Sequence, residues 1–271
     1  MLVRSVEAVA FGTNCYVIAA EPGSGCVIID PGIGVADRVA EVLRTDGLSP
    51  LAVLLTHGHL DHVYDVPSVT QPFPDALDQP SVLPSYIHSA DRYRLINPLG
   101  DLDASFVAML EAQFGQKAAW RQPAEVIEIT MSTGEPSSAT AQGATANGAT
   151  SLSNATSPSS TTSLSIADLH FEVHHAPGHT EGSVLFSLVG VPEGLASQEP
   201  LDRTTLSGDV LFAGSIGRCD LPGGDAAAMT RSLREVVLPM PDSTLVLPGH
   251  GPATTMSTER AHNPYLRSLL V

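Results

Sequence analysis

A chain of 271 residues with 43% apolar and 15% charged side chains and a mean hydropathy of +0.12 has enough apolar material for one sizeable core. Thirteen Lys plus Arg against 29 Asp plus Glu give a formal net charge of −16, which disfavours nucleic acid and anionic membrane surfaces as partners. No apolar run approaches the ~20 residues of a bilayer-spanning helix, and the N-terminus lacks the pattern of a secretion signal, so a cytoplasmic protein acting on a small molecule is expected.

Cys15–Ala20 and Cys26–Asp30 are short apolar runs around Glu21-Pro22-Gly23-Ser24-Gly25, which predicts a β-hairpin. Cys15, Cys26 and Cys219 are odd in number and widely spaced, as free thiols in a reducing compartment would be. Val35, Val39, Val42 and Leu43 recur at helical spacing, and Gly47 offers a stop. Leu51–Leu55 is a continuous apolar run that predicts a strand buried on both faces. A further strand is expected within Ser81–His88 and a helix over Ala104–Phe114.

From Met131 to Ser165 the chain is dominated by Ser, Thr, Ala and Gly, with Glu135 its only charged residue. This composition predicts a flexible insertion, at about 131–165, within a single domain spanning 1–271. Its Asn154-Ala155-Thr156 is formally a glycosylation sequon, read here as chance in a Ser/Thr-rich tract because no secretion signal accompanies it. Alternating Ile166, Leu169, Phe171 and Val173 predict a strand over Ile166–His175, and Ser183–Val189 predicts the next. Asp225–Val237 has the pattern of a helix and Thr244–Leu247 that of a strand. A rigid Pro248-Gly249-His250-Gly251-Pro252 turn follows.

Thr56-His57-Gly58-His59-Leu60-Asp61-His62 places three imidazoles and a carboxylate within six positions, directly after the buried strand. Such donors suit Zn(II), and also Fe(II) or Mn(II), and a strand-to-loop junction can aim them at neighbouring points. Pro177-Gly178-His179-Thr180, Ser207-Gly208-Asp209 and Pro248-Gly249-His250-Gly251 each deliver one further donor after a predicted strand, beside small residues that permit close backbone approach. His88 and His175 read as packed histidines near strand ends, and His170, His174 and His262 as surface or structural ones. Asn14-Cys15-Tyr16 reads as core packing.

In this order the donors resemble those of the metallo-β-lactamase superfamily, in particular its glyoxalase II-like hydrolase branch, over almost the whole chain except the insertion. The resemblance implies a four-layer αββα sandwich of the mixed α/β (α+β) class, and two divalent metal ions. It assigns His57, His59 and His179 to one ion, Asp61, His62 and His250 to the other, and Asp209 as a bridge. Asp209 stands where the most discussed zinc β-lactamases carry a cysteine, which favours the broader hydrolase branch. Gly217-Arg218-Cys219-Asp220-Leu221 resembles a G-R-[ST]-D segment of that branch, with cysteine for the hydroxyl residue. Arg218 is a candidate either for pairing with a carboxylate in a structural loop or for substrate contact. Glu259-Arg260-Ala261-His262-Asn263-Pro264-Tyr265 resembles the C-terminal segment of the short members, and the 21 residues after His250 leave no room for the helical glutathione-binding domain of full glyoxalase II enzymes.

The chemistry so implied is attack on a thioester or ester carbonyl by a hydroxide between two zinc-like ions, with Asp61 orienting the nucleophile and accepting its proton. Two alternatives stay open. One is an iron-dependent persulfide dioxygenase with a single redox-active iron, and the other a non-catalytic metal-binding scaffold.

Overall fold

Residues 1–71, 82–100, 104–114, 120–131, 151–153, 161–195 and 200–270 are described by the computed structural model. The first half contains β1 (Leu2–Glu7), β2 (Asn14–Ala19), β3 (Gly25–Ile29), α1 (Ala36–Asp46), β4 (Ser49–Leu54), α2 (Leu60–Val63), α3 (Val66–Val69), β5 (Ser85–His88), a 3-10 helix (Ser89–Leu95), α4 (Ala104–Phe114) and β6 (Val126–Ile129). The second contains β7 (Ser151–Ser153), β8 (Thr161–Ile166), β9 (Leu169–His175), β10 (Val184–Val189), β11 (Arg203–Gly208), β12 (Leu211–Phe212), β13 (Ser215–Ile216), α5 (Ala226–Ser232), a π-helical turn (Leu233–Val237), β14 (Thr244–Pro248), β15 (Thr254–Thr255), α6 (Met256–His262) and α7 (Pro264–Arg267).

One sheet runs β1-β2-β3-β4-β5-β6, antiparallel from β1 to β3 and parallel from β3 to β6. The other runs β15-β14-β11-β10-β9-β8-β7, antiparallel except for the β11–β14 pair. Parallel neighbours need a crossover, and α1 supplies it between β3 and β4.

The two-residue side-chain period of a strand decides which layer each residue joins. In β2, Cys15, Val17 and Ala19 pack outward with Val39 and Leu43 of α1 and Val66 and Val69 of α3. Tyr16 and Ile18, between them, pack inward with Phe171, Phe186 and Leu206 of the second sheet. There, Val184, Phe186, Leu245 and Leu247 face the first sheet, while Leu185 and Val246 meet Met229, Leu233 and Met256 on the outer side. The result is the expected αββα sandwich, with sheets face to face and helices outside. None of the described helices is long and apolar enough to cross a membrane.

The predicted hairpin, α1 with its Gly47 terminus, and the Ala104–Phe114 helix all form. Asp225 lies outside α5 and caps it, its side chain accepting from the N–H groups of Ala227 and Ala228 at 2.7 and 3.0 Å. The insertion boundary needs correction. Thr161–Ile166 is a strand of the second sheet, with Thr162, Leu164 and Ile166 buried, and Ser151–Ser153 pairs with it. Composition averaged over a long polar tract hides a six-residue alternation that buries one face. The strand predicted over Ile166–His175 forms as β9 from Leu169, while Ile166 ends β8, because Ala167 takes φ 51° and Ile166 pairs with Leu169 across the turn. The rest of the predicted insertion, 132–150 and 154–160, lies outside the described residues.

Candidate metal centre

Strand ends of both sheets meet at one edge of the sandwich. His57 and His59 lie just beyond β4, Asp61 and His62 on α2, His179 between β9 and β10, Asp209 after β11 and His250 after β14. The edge is stitched together by Asn14 and Tyr16. The Asn14 N–H donates to the Gly249 carbonyl (2.7 Å), and the Asn14 amide and the Tyr16 hydroxyl both donate to the Pro248 carbonyl (3.1 and 2.8 Å). These two residues, expected only to pack the core, also hold the His250 turn against the first sheet.

All seven predicted donors converge. His57, His59 and His179 form one set, Asp61, His62 and His250 a second, and His57, His62 and Asp209 a third, the donor atoms within each set lying no more than 4.8 Å apart. Asp209 spans them: Oδ1 is 3.3 Å from His62 Nε2, while Oδ2 is 3.5 Å from both His179 Nε2 and His250 Nε2. Across the gap, His59 Nδ1 lies 2.8 Å from His179 Nε2. Close approach requires small neighbours. A Cβ on Gly249 would strike Asp209 Oδ1 and the His62 ring, and Gly208, at φ 46°, would drive one into Thr56 Oγ1.

Hydrogen bonds on the far side of each ring determine what it presents to the centre. His179 Nδ1 lies 2.8 Å from the Arg218 carbonyl and His250 Nδ1 3.1 Å from the Phe11 carbonyl. A carbonyl only accepts, so both Nδ1 atoms carry hydrogen and both Nε2 atoms offer lone pairs. His62 Nδ1 donates likewise to Asp30 Oδ2 at 3.0 Å. Thr56 Oγ1 donates to Asp30 Oδ2 (2.6 Å), which leaves it to accept from His57 Nδ1 (3.1 Å). In their neutral form these four rings would each turn an Nε2 lone pair toward two carboxylates.

Such an arrangement repels itself unless a cation joins it. Burial and the neighbouring imidazoles hold His57 well below the usual imidazole range. Burial, then His179, lowers His59 to about 3. Burial also opposes charge on His62, but Asp209, Asp61 and Asp30 outweigh it and push that pKa well above the ordinary value. For Asp61 and Asp209, burial works against ionisation and is overcome by His62 and its neighbours, so both stay below the usual carboxylate range. Among the described residues, His57 Nε2 is one of the buried polar atoms without a hydrogen-bond partner, and Asp209 Oδ1 has only the 3.3 Å approach of His62 Nε2. A divalent ion fits this set: it would accept the orphaned donors and balance the carboxylates.

Arg218 shows the carboxylate pairing that its sequence offered as one reading. Its guanidinium is exposed and paired with Asp220 at 2.7 and 2.8 Å, and its carbonyl is what reaches the centre. His88 and His175 lie outside the three donor sets and stack on each other, with ring centroids 4.0 Å apart. The sequence reading missed Asp30 and Asp91. Asp30 carried a signal, an acid closing an apolar run just before Pro31-Gly32, but it reads as turn chemistry. Asp91 carried none.

Comparison with known proteins agrees with this geometry. A family model described as the metallo-beta-lactamase superfamily matches residues 8–250. The hydroxyacylglutathione hydrolase GloC of Haemophilus influenzae is 28% identical over 273 residues, covering 99% of each chain. Among solved structures, the BLEG-1 B3 metallo-beta-lactamase superposes with a TM-score of 0.66 at 29% identity, covering 98% of this chain and 99% of that one. TTHA1623 in a di-iron-bound form gives 0.61 at 31% identity, covering 97% and 100%. With the family model spanning Ala8 to His250 and every donor gathered at one sheet edge, the chain belongs to the metallo-beta-lactamase superfamily.

Proposed function

We propose that the protein is a hydrolase of small-molecule thioesters or esters that works with two divalent ions. His57, His59 and His179 would hold one, Asp61, His62 and His250 the other, and Asp209 would bridge them. The observation that carries this reading is the position of the Asp209 carboxylate, within 3.5 Å of imidazoles from both sets. Bound there, such ions supply hydroxide at neutral pH and Lewis acidity toward a carbonyl oxygen.

The chain's own residues do the positioning. Asp61 Oδ2 accepts from Thr13 Oγ1 at 3.2 Å and lies 3.2 Å from His250 Nε2, a placement suited to orienting a nucleophile and taking its proton. Asp30, Thr56 and the carbonyls of Arg218 and Phe11 keep the imidazoles in one tautomer. With those rings committed as lone-pair donors, a leaving group that departs unprotonated is favoured, as a thiolate does. The likeness to GloC supports the same choice. The net charge of −16 disfavours polyanionic substrates such as nucleic acid.

The test is metal content by elemental analysis of protein purified without added metal, with hydrolysis assays on hydroxyacyl thioesters of several thiols, simple esters and a β-lactam. Two ions per chain with thioester turnover is the expected result. Turnover of the β-lactam alone would move the substrate to the class named for BLEG-1. One iron with oxygen consumption on a persulfide would overturn hydrolysis.

A further inference from the structure

Asp91 is fully buried in the 3-10 helix after β5 and belongs to none of the three donor sets. Its Oδ2 accepts from the Gly58 N–H at 2.8 Å and the Thr180 hydroxyl at 2.7 Å, and its Oδ1 accepts from the Gly182 N–H at 2.8 Å. Gly58 is the residue between His57 and His59, and Thr180 directly follows His179. One carboxylate therefore fastens the histidine loop of the first sheet to the His179 loop of the second. The fit is close: a Cβ on Gly182 would lie 2.6 Å from Asp91 Cγ, and one on Gly58 2.7 Å from Arg94 Cβ.

The other three-donor set has separate supports, since Asp30 holds His62, Thr13 holds Asp61 and the Phe11 carbonyl holds His250. Hydrogen bonds to a carboxylate are short and strong, and these three, with Arg94 Nε 3.6 Å from Oδ1, offset part of the penalty of burying it. We propose that Asp91 is a positioning residue that presets His57, His59 and His179, and so governs affinity for one of the two ions while touching neither. This rests on the two-metal reading above. Both loops remain joined without Asp91 by the Val184 N–H to Thr56 carbonyl bond of 2.8 Å, so a variant can keep the fold.

The experiment titrates the metal-free full chain with Zn(II) against a competing chelator, alongside thermal denaturation of the metal-free protein. In Asp91→Asn, whose amide nitrogen faces N–H and O–H donors, affinity for one ion is expected to fall about 10–100-fold while the other is retained. In the His179→Ala background the same change should cause no further loss, which identifies the ion. Thr180→Val, which deletes one donor, should weaken the same ion less, and it decides the matter if Asp91→Asn does not fold. Unchanged affinities, or both falling together with the metal-free melting temperature, would overturn the inference. A parent chain that binds no ion would defeat the proposed function and the Asp91 inference with it. Two ions in the parent and an unaltered Asp91→Asn would defeat the Asp91 inference alone.

Discussion

Two residues show how much chemistry one side chain carries. Asp209 lies against imidazoles of both sets, whereas His250 belongs to one. A bridging carboxylate offsets repulsion between two nearby dications, and a terminal imidazole does not. Asp209→Ala should therefore deplete both ions and His250→Ala chiefly one, as read by elemental analysis. Two fully occupied ions in Asp209→Ala would contradict the bridge. His88 makes a pH prediction. Burial, then its partner His175, lowers its pKa from 6.5 to about 4. Between those values the unfolded chain binds a proton that folded His88 refuses, so stability falls as the pH drops through that window and is unaffected by His88 above it. His88→Gln, whose oxygen can still accept from the Ala90 N–H, should flatten melting temperature against pH between about 6.5 and 4. An unchanged slope in the metal-free protein would show that other groups dominate.

The β8 strand is the element least expected from composition and the easiest to test. Leu164 is fully buried between the sheets, while Ser163 and Ser165 alternate with it on the other face of β8. Leu164→Ala should destabilise the protein by about 2–5 kcal/mol through lost transfer free energy and the cavity left behind. Ser163→Ala should change little. Equal melting temperatures for both variants and the parent would mean that β8 does not pack in solution. The elements that were legible carry their signal within their own bounds: helical apolar spacing in α1, apolar runs around a turn-rich loop in the β2–β3 hairpin, and a run of apolar residues in Ala104–Phe114. β1 and β6 were not seen, because each is a short edge strand whose polar residues mask its pattern. Val6 is buried only once β1 pairs with β2.

At the scale of the whole molecule, the centre is where the two halves of the chain meet, so ions bound there as proposed would couple to the fold. Removing metal leaves two buried carboxylates beside converging lone pairs, with the charge on His62 as the local balance. A ligand that binds only the folded state stabilises it by about 2.7 kcal/mol at a hundredfold excess over its dissociation constant. Chelation should accordingly lower the melting temperature, and added Zn(II) should restore it in the parent but only partly in His57→Ala. A melting temperature indifferent to chelator would remove metal from the account of stability.

The candidate donors were legible in the sequence, because His57-Gly58-His59-Leu60-Asp61-His62 is local and His179, Asp209 and His250 each directly follow a glycine. The layered fold class came from the family resemblance that those donors carry. Only the tertiary structure decided which nitrogen of each ring faces inward, and that Asp30 and Asp91 hold the loops. Those depend on contacts across the chain: 32 residues separate Asp30 from His62, and 91 separate Asp91 from Gly182. A lone buried aspartate has no sequence period, and its role exists only once both sheets place donors around it.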